Sequence, residues 1–201
     1  MNTATRLAAL PLPAAAGSRF ERNRPRALEL FAERGFAQVS LRELARHLEL
    51  TAGSIYNHCA SKEELLLEFI EEHYMALLGL FGRRPRQASP AATLDDIARE
   101  LLALYASQPA YFHLALRDAV FLGAEQRQQV TQLRQRLGQK LDALLLAAGF
   151  ANPGRHGVPA LELFEHLPLW LASLDISESQ RHAALLRALT APLHPRQEIG
   201  P

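Results

Sequence analysis

Residues 40–66 read SLRELARHLELTAGSIYNHCASKEELL, and the spacing inside this stretch decides the fold of the N-terminal part of the chain. Ser40 is followed three residues on by Glu43, the separation at which a hydroxyl and a carboxylate each satisfy a free amide at a helix start. The helix they open carries Leu41, Leu44, Ala45 and Leu48 on one face. Thr51 caps a second short helix reaching about His58, and Ser61 with Glu64 repeats the capping spacing before a long helix that runs to about Phe81. Two short helices joined by a tight turn, with the small Ala45 facing the partner helix, are the pattern of a helix-turn-helix. Leu41, Leu44, Leu48, Leu50 and Ile55 are its packing positions. The second helix is then free on its other side, where it offers Thr51, Ser54, Tyr56, Asn57 and His58 with almost no acid, and Gly53 permits close approach to a phosphate.

Upstream, Ala27, Leu28, Leu30 and Phe31 make an apolar stripe that ends at Gly35-Phe36, so a first helix is expected from about Arg26. Pro25 and Asn23 imply a late start. That leaves Arg19, Arg22, Arg24 and Arg26 either to reach a DNA backbone or minor groove or to form a merely solvated arm. Residues 1–20, with Pro11, Pro13 and a run of alanines, read as a disordered arm in preference to a secretory leader. Downstream, GRRPRQASPAAT (82–93) breaks the helical pattern and brings in a basic cluster, Arg83, Arg84 and Arg86. Helices follow over about 93–107, 109–122 and 124–148, then a loop at 152–158, then two last helices over about 159–173 and 177–193. Period-two runs of β-branched residues are missing, so the fold class is all-α. It divides into an arm (1–20), a helix-turn-helix domain with its connecting fourth helix (21–81) and a second helical domain (82–201).

A chain of 201 residues with 48% hydrophobic and 21% charged residues is a globular composition, neither disordered nor disulfide-built. The single cysteine, Cys59, excludes an internal disulfide and a multi-thiolate metal cluster and fits a reducing, cytoplasmic home. No run approaches the ~18 apolar residues of a membrane helix, so no membrane partner is expected. A net charge of +1 predicts no nucleic acid by itself, but residues 1–60 hold eight Arg against five Glu, while Glu63, Glu64, Glu68, Glu71 and Glu72 cluster behind them. Lysine occurs only at Lys62 and Lys140; Lys62 opens the fourth helix, where the dipole and free amides also favour a phosphate.

Three stretches, ALELFAERGF (27–36), SLRELARHL (40–48) and GSIYNHCASKEELL (53–66), together resemble the DNA-binding domain of the TetR/AcrR family of bacterial transcriptional regulators. The resemblance covers about the first third of the chain. It implies an N-terminal three-helix reader and a divergent helical C-terminal domain that dimerises and often holds a small-molecule inducer. It also implies phosphate contacts from Tyr56 and Lys62, and phosphate or base contacts from Thr51, Ala52, Gly53, Ser54, Asn57 and His58; Ser40 and Arg42 complete the DNA-binding candidates. Four residues depart from the family pattern: Pro25 and Asn23 fall where members usually continue an apolar first helix, and Glu49 and Cys59 depart as follows. Glu49 stands where such turns usually have a left-handed glycine, at a cost of ~1 kcal/mol or more, which puts the turn in question. Cys59 replaces the usual phenylalanine and reads as a small buried hydrophobe in preference to a redox sensor.

Catalytic motifs are missing: there is no His-Glu-x-x-His, Gly-x-Ser-x-Gly, phosphate-cradling glycine loop or Cys-x-x-Cys, so no enzyme, cofactor or metal is expected. Asp95 and Asp96 open a helix, where the dipole favours carboxylates without any catalytic need. In the C-terminal half, Tyr105, Phe112, His113, Phe121, His166 and Trp170 are candidates for an inducer pocket, and plain core is the equal alternative. Leu161, Phe164, Leu167, Leu171, Leu185, Leu186 and Leu189 form stripes on the last two helices that suit either a four-helix dimer interface or packing within the chain. The expected partners are a pseudo-palindromic double-stranded DNA operator, a second copy of the chain, and a small apolar or amphipathic inducer. The expected function is a ligand-relieved repressor; the alternative is a helical protein-interaction module that keeps the fold without specific DNA binding.

Overall fold

The computed structural model describes residues 18–82, 88–150 and 153–190. Among these residues every regular element is helical: α1 (Arg19–Arg34), α2 (Leu41–His47), α3 (Ala52–Tyr56), α4 (Lys62–Gly79), α5 (Pro90–Ser107), α6 (Pro109–Arg117), α7 (Ala124–Ala147), α8 (Pro153–Ala172) and α9 (Glu178–Thr190). Short 3-10 turns, Phe36–Gln38 and Ala119–Phe121, follow α1 and α6. The basic cluster at Arg83, Arg84 and Arg86, the arm up to residue 17 and the end expected for the last helix lie outside the described residues.

Helix α1 begins well before the expected Arg26. Ser18 caps it by accepting from the Glu21 amide at 3.2 Å, and Phe20, 2% exposed, anchors its first turn in the core. Pro25 therefore lies inside the helix, where it removes the hydrogen bond to the Glu21 carbonyl. Burial of Phe20 outweighs that local defect. Because the Pro25 ring is exposed, Pro25→Ala loses no packing and is expected to raise the unfolding free energy by about 1–3 kcal/mol, read as a higher urea midpoint.

The capping expectations around α2, α3 and α4 hold. Glu43 closes the reciprocal box with Ser40, Thr51 Oγ1 accepts from Ser54 N at 3.1 Å, and Ser61 Oγ accepts from Glu64 N at 3.0 Å. The turn between α2 and α3 keeps its left-handed residue although that residue is glutamate: Glu49 has φ 56°. Its amide bonds to the Arg46 carbonyl at 3.1 Å and the Leu50 amide to the Ala45 carbonyl at 2.8 Å, the paired closure that a glycine makes at the end of α7, at Gly149.

Helix α4 joins the two halves. Leu65, Leu66 and Phe69 are buried toward the α1–α3 layer, and His73, Tyr74 and Leu77 are buried farther along. Helices α5 to α9 pack beyond it, α7 against α8 and α4, and α8 and α5 against α9. Three boundaries differ from the sequence expectation. Helix α5 starts at Pro90, with Ser89 as its cap; α6 stops at Arg117 and the chain turns through Ala119–Phe121; and α8 starts at Pro153, so residues 153–158, expected as loop, are helical.

Candidate nucleic-acid interface

The reading head is held together by contacts that join its turn to α1. Asn23 Nδ2 donates to the Leu48 carbonyl at 3.0 Å and Arg26 Nη2 to the His47 carbonyl at 2.7 Å, so two side chains of α1 take up the carbonyl end of α2. The Glu49 carboxylate lies 3.4 Å from the Arg19 guanidinium and 3.6 Å from that of Arg26. Phe20 stacks on His58 with ring centroids 4.9 Å apart and planes 6° from parallel, which sets the first turn of α1 beside the end of α3. Arg24 points the other way, between Glu68 and Glu72 of α4 and over the Phe69 ring. The four arginines are thus part of a helix and not a loose arm, and Arg24 is committed to the interior side.

On the outer side, Thr51, Gly53, Tyr56, Asn57 and His58 are exposed, Tyr56 by 58%, and Ser54 is half-buried. Ala52 opens α3 in sequence with them. Ser40 and Arg42 are exposed at the start of α2 and line an open concavity of about 480 Å³ with Leu41, Tyr56, Ala60, Ser61, Lys62 and Glu63. The structure therefore brings nearly all the sequence candidates to one face. Lys62 is the exception in orientation: its ammonium donates to the carbonyls of Phe36 (2.8 Å) and Val39 (2.9 Å) and sits 4.1 Å over the Phe36 ring. It holds the segment leading into α2. Ser40 is likewise engaged, its hydroxyl donating to Glu43 at 2.8 Å; hydrogen bonds from Ser40 hold the Glu43 carboxyl below its ordinary range.

Cys59 is buried, with its thiol toward the Ile55 carbonyl at 3.7 Å. Burial, then the nearby charges of Glu68 and Glu64, push it up to about 11, so it is a thiol at neutral pH and not a reactive thiolate.

The two C-terminal residue sets are dispersed. Tyr105 and Phe112 touch, at 5.2 Å between centroids, and His113 is half-buried. Phe121, His166 and Trp170 are exposed and line no interior space with them: Phe121 leans on Phe36 of the reading head, His166 pairs with Glu162 on α8, and Trp170 is 57% exposed. Of the proposed interface leucines and Phe164, five side chains (Leu161, Phe164, Leu171, Leu185 and Leu189) are buried within the chain; Leu167 and Leu186 are half-buried. Those stripes face the core of α5–α9, the alternative considered for them. The contacts of Asn23 and Arg26 with the α2–α3 turn were not found from the sequence, where Asn23 registered only as a departure.

Residues 26–69 match the sequence model of the bacterial regulatory proteins of the tetR family. The reading head is a TetR-family domain. The match spans α1 from Arg26 through α2 and α3 to Phe69 in α4, the elements whose geometry is given above. The rest of the chain shares its fold with solved TetR-family proteins. PfmR, a TetR family transcriptional regulator from Thermus thermophilus, is 23% identical with a TM-score of 0.73 over 84% of this chain and 97% of its own. A bacterial regulatory protein in the tetR family from Rhodococcus is 21% identical with a TM-score of 0.75 over 86% and 96%. AibR in complex with isovaleryl coenzyme A and operator DNA is 18% identical with a TM-score of 0.71 over 87% and 100%.

Proposed function

We propose that this chain is a sequence-specific DNA-binding transcriptional regulator that works as a cytoplasmic homodimer, a repressor released from a pseudo-palindromic operator by a small apolar or amphipathic ligand. Residues 21–81 act as the reader and 82–201 as the effector and dimer domain. The observation that carries the reading is the single outward face formed by Thr51, Gly53, Ser54, Tyr56, Asn57 and His58 on a TetR-family head. Glu49 and a shortened first helix would favour the interaction-module alternative; Glu49 is accommodated in a regular turn and α1 runs from Arg19 through Pro25. AibR, of the same fold, binds an acyl coenzyme A and operator DNA, which supports a ligand-responsive reading here. For the dimer, the exposed stripe Glu162, His166, Trp170 along α8 is a better candidate than the leucines beneath it. A ligand would act only through a preference for a state with misplaced heads.

Selection of duplexes from a random pool by the purified protein tests this. An inverted repeat with half-sites about 34–36 Å apart is the expected product. Asn57→Ala and Tyr56→Ala are each expected to weaken its binding by about 1–3 kcal/mol, with unchanged thermal midpoints because both side chains are exposed. A pool that yields no enriched sequence would leave the interaction-module alternative.

A further inference from the structure

The helix-turn-helix carries an anion where its backbone disfavours one. Glu49 holds φ 56°, a conformation suited to glycine, and its carboxylate is answered by Arg19 at 3.4 Å and Arg26 at 3.6 Å. Arg19 and Glu49 are exposed, Glu49 by 66%, while Arg26 is half-buried and also donates to the His47 carbonyl through Nη2, leaving Nη1 on the Glu49 side. Ion pairs that open to water add little stability, less than a left-handed non-glycine residue costs. Stability therefore does not account for a glutamate at this position. Its surroundings do. Phe20, the neighbour of Arg19, stacks on His58 at the end of α3, and Glu49 is two residues before Thr51, the cap at its start. The acid and both arginines thus flank the reading face, and guanidinium groups so placed are suited to phosphate.

We propose that Glu49 restrains backbone binding: it occupies Arg19 and Arg26 and keeps both guanidinium groups off the phosphates of a random-sequence duplex. The proposal rests on the DNA-binding reading above. Sequence-blind affinity comes almost wholly from neutralised phosphates, whereas operator affinity also draws on base contacts made by α3. An acid that masks two cations at the edge of the reading face therefore lowers the first.

The test titrates the full-length protein, Glu49→Gln, and Glu49→Gln combined with Arg19→Gln and Arg26→Gln, against a random-sequence duplex at about 50 and about 200 mM salt. Glu49→Gln keeps the side-chain length and removes only the charge. With one or two further phosphates neutralised per head, its log–log salt slope is expected to be steeper than wild type by about 2 to 4 in a two-headed complex. Its affinity then falls about tenfold to a hundredfold more than that of wild type between the two salts. Glu49→Gly, which relieves the left-handed strain and so keeps the fold, is expected to give the same slope. The triple variant returns to the wild-type slope or below it, at an unchanged thermal midpoint, which is measured beside it because Arg26→Gln also gives up the bond to the His47 carbonyl. A Glu49→Gln slope equal to wild type, or a steeper slope that survives loss of both arginines, overturns the proposal alone. Wild-type protein that binds neither random nor selected duplex overturns the DNA-binding reading and this proposal with it.

Discussion

Replacing Arg134 by alanine is expected to lower the unfolding free energy by about 3–5 kcal/mol, because it strands a buried carboxylate. Glu165 on α8 has no exposed side-chain surface, and its partner is Arg134 of α7, whose Nε donates to Oε1 at 2.9 Å while Nη2 serves the other oxygen. The same Nη2 reaches Glu162 at 2.8 Å, and the buried Tyr74 of α4 hydrogen-bonds to Glu165 as well. One carboxylate therefore ties α7, α8 and α4 together. Burial, then the negative charge of Glu165, hold the Tyr74 phenol well above its ordinary range, so it serves as a neutral donor there. With the guanidinium gone, Tyr74 alone answers a full charge out of reach of water, and unpaired buried ions are among the costliest single defects. Urea unfolding at neutral pH reads the loss. Glu162→Gln is the contrasting case: that residue is half in water, and its loss is expected to stay within about 1 kcal/mol. Removing both members of the buried pair, Arg134→Met with Glu165→Met, is expected to recover most of the stability. A double variant as unstable as Arg134→Ala would mean that the site needs the shape of these side chains and not their charge balance.

The joint between reading head and body depends on polar contacts of a similar kind. Arg117, the last residue of α6, donates to the carbonyls of Phe31 (2.8 Å) and Ala32 (3.0 Å) at the end of α1 and is gripped by Asp118, itself 2% exposed. Tyr111 of α6 donates to Glu72 at 2.7 Å, and Glu72 also receives Arg24 of α1. Burial, then the hydrogen bond to Glu72, raise the Tyr111 phenol, which keeps it a donor throughout the working pH range. Helix α6 is thus bonded to α1 directly and through α4. Any displacement of α6 must move the head or break these bonds.

What the sequence disclosed follows from the range of each interaction. Capping pairs such as Ser40 with Glu43 or Ser61 with Glu64 lie within one turn, so spacing alone revealed them, and the helix-turn-helix came with them. Pro25 misled because a local rule was overridden by a distant contact: Phe20 is buried beside His58, and the helix continues through the proline to keep it there. The same limit applies to α8, whose leucine stripes announced burial without saying what would cover them. The neighbours proved to be α7 and α9 of the same chain. Arg24 and Glu72 are 48 residues apart, and Arg117 and Phe31 86; no periodicity joins such pairs before the helices are assembled.

Acid is expected to destabilise this protein from about pH 6.5 downward, and His73→Leu to remove much of that sensitivity. Among the histidines, the sequence drew notice to His113 and His166, yet the deeply buried one is His73 on α4, 2% exposed, packed edge-on against Phe112 at 4.5 Å and beside Tyr74. Its Nε2 has no hydrogen-bond partner among the described residues, and burial lowers its pKa from 6.5 to about 3. The folded protein therefore keeps the imidazole neutral at a pH where the unfolded chain takes up a proton. Above about pH 6.5 neither state is protonated at His73 and the group adds no pH dependence. Below it the unfolded state binds more protons, so stability falls by about 1.4 kcal/mol per pH unit until the folded site itself titrates near pH 3. Between pH 6.5 and 4.5 that amounts to about 3 kcal/mol, a large part of the 5–15 kcal/mol typical of a domain. His73→Leu is close in volume and leaves no orphaned nitrogen, so at neutral pH it is expected to be neutral or stabilising by about 1–3 kcal/mol. Urea titrations of the two proteins at pH 7 and pH 4.5 separate the effects. The wild type is expected to lose about 3 kcal/mol more than the variant on acidification, and equal losses would show that carboxylates elsewhere, and not this histidine, govern the acid limb.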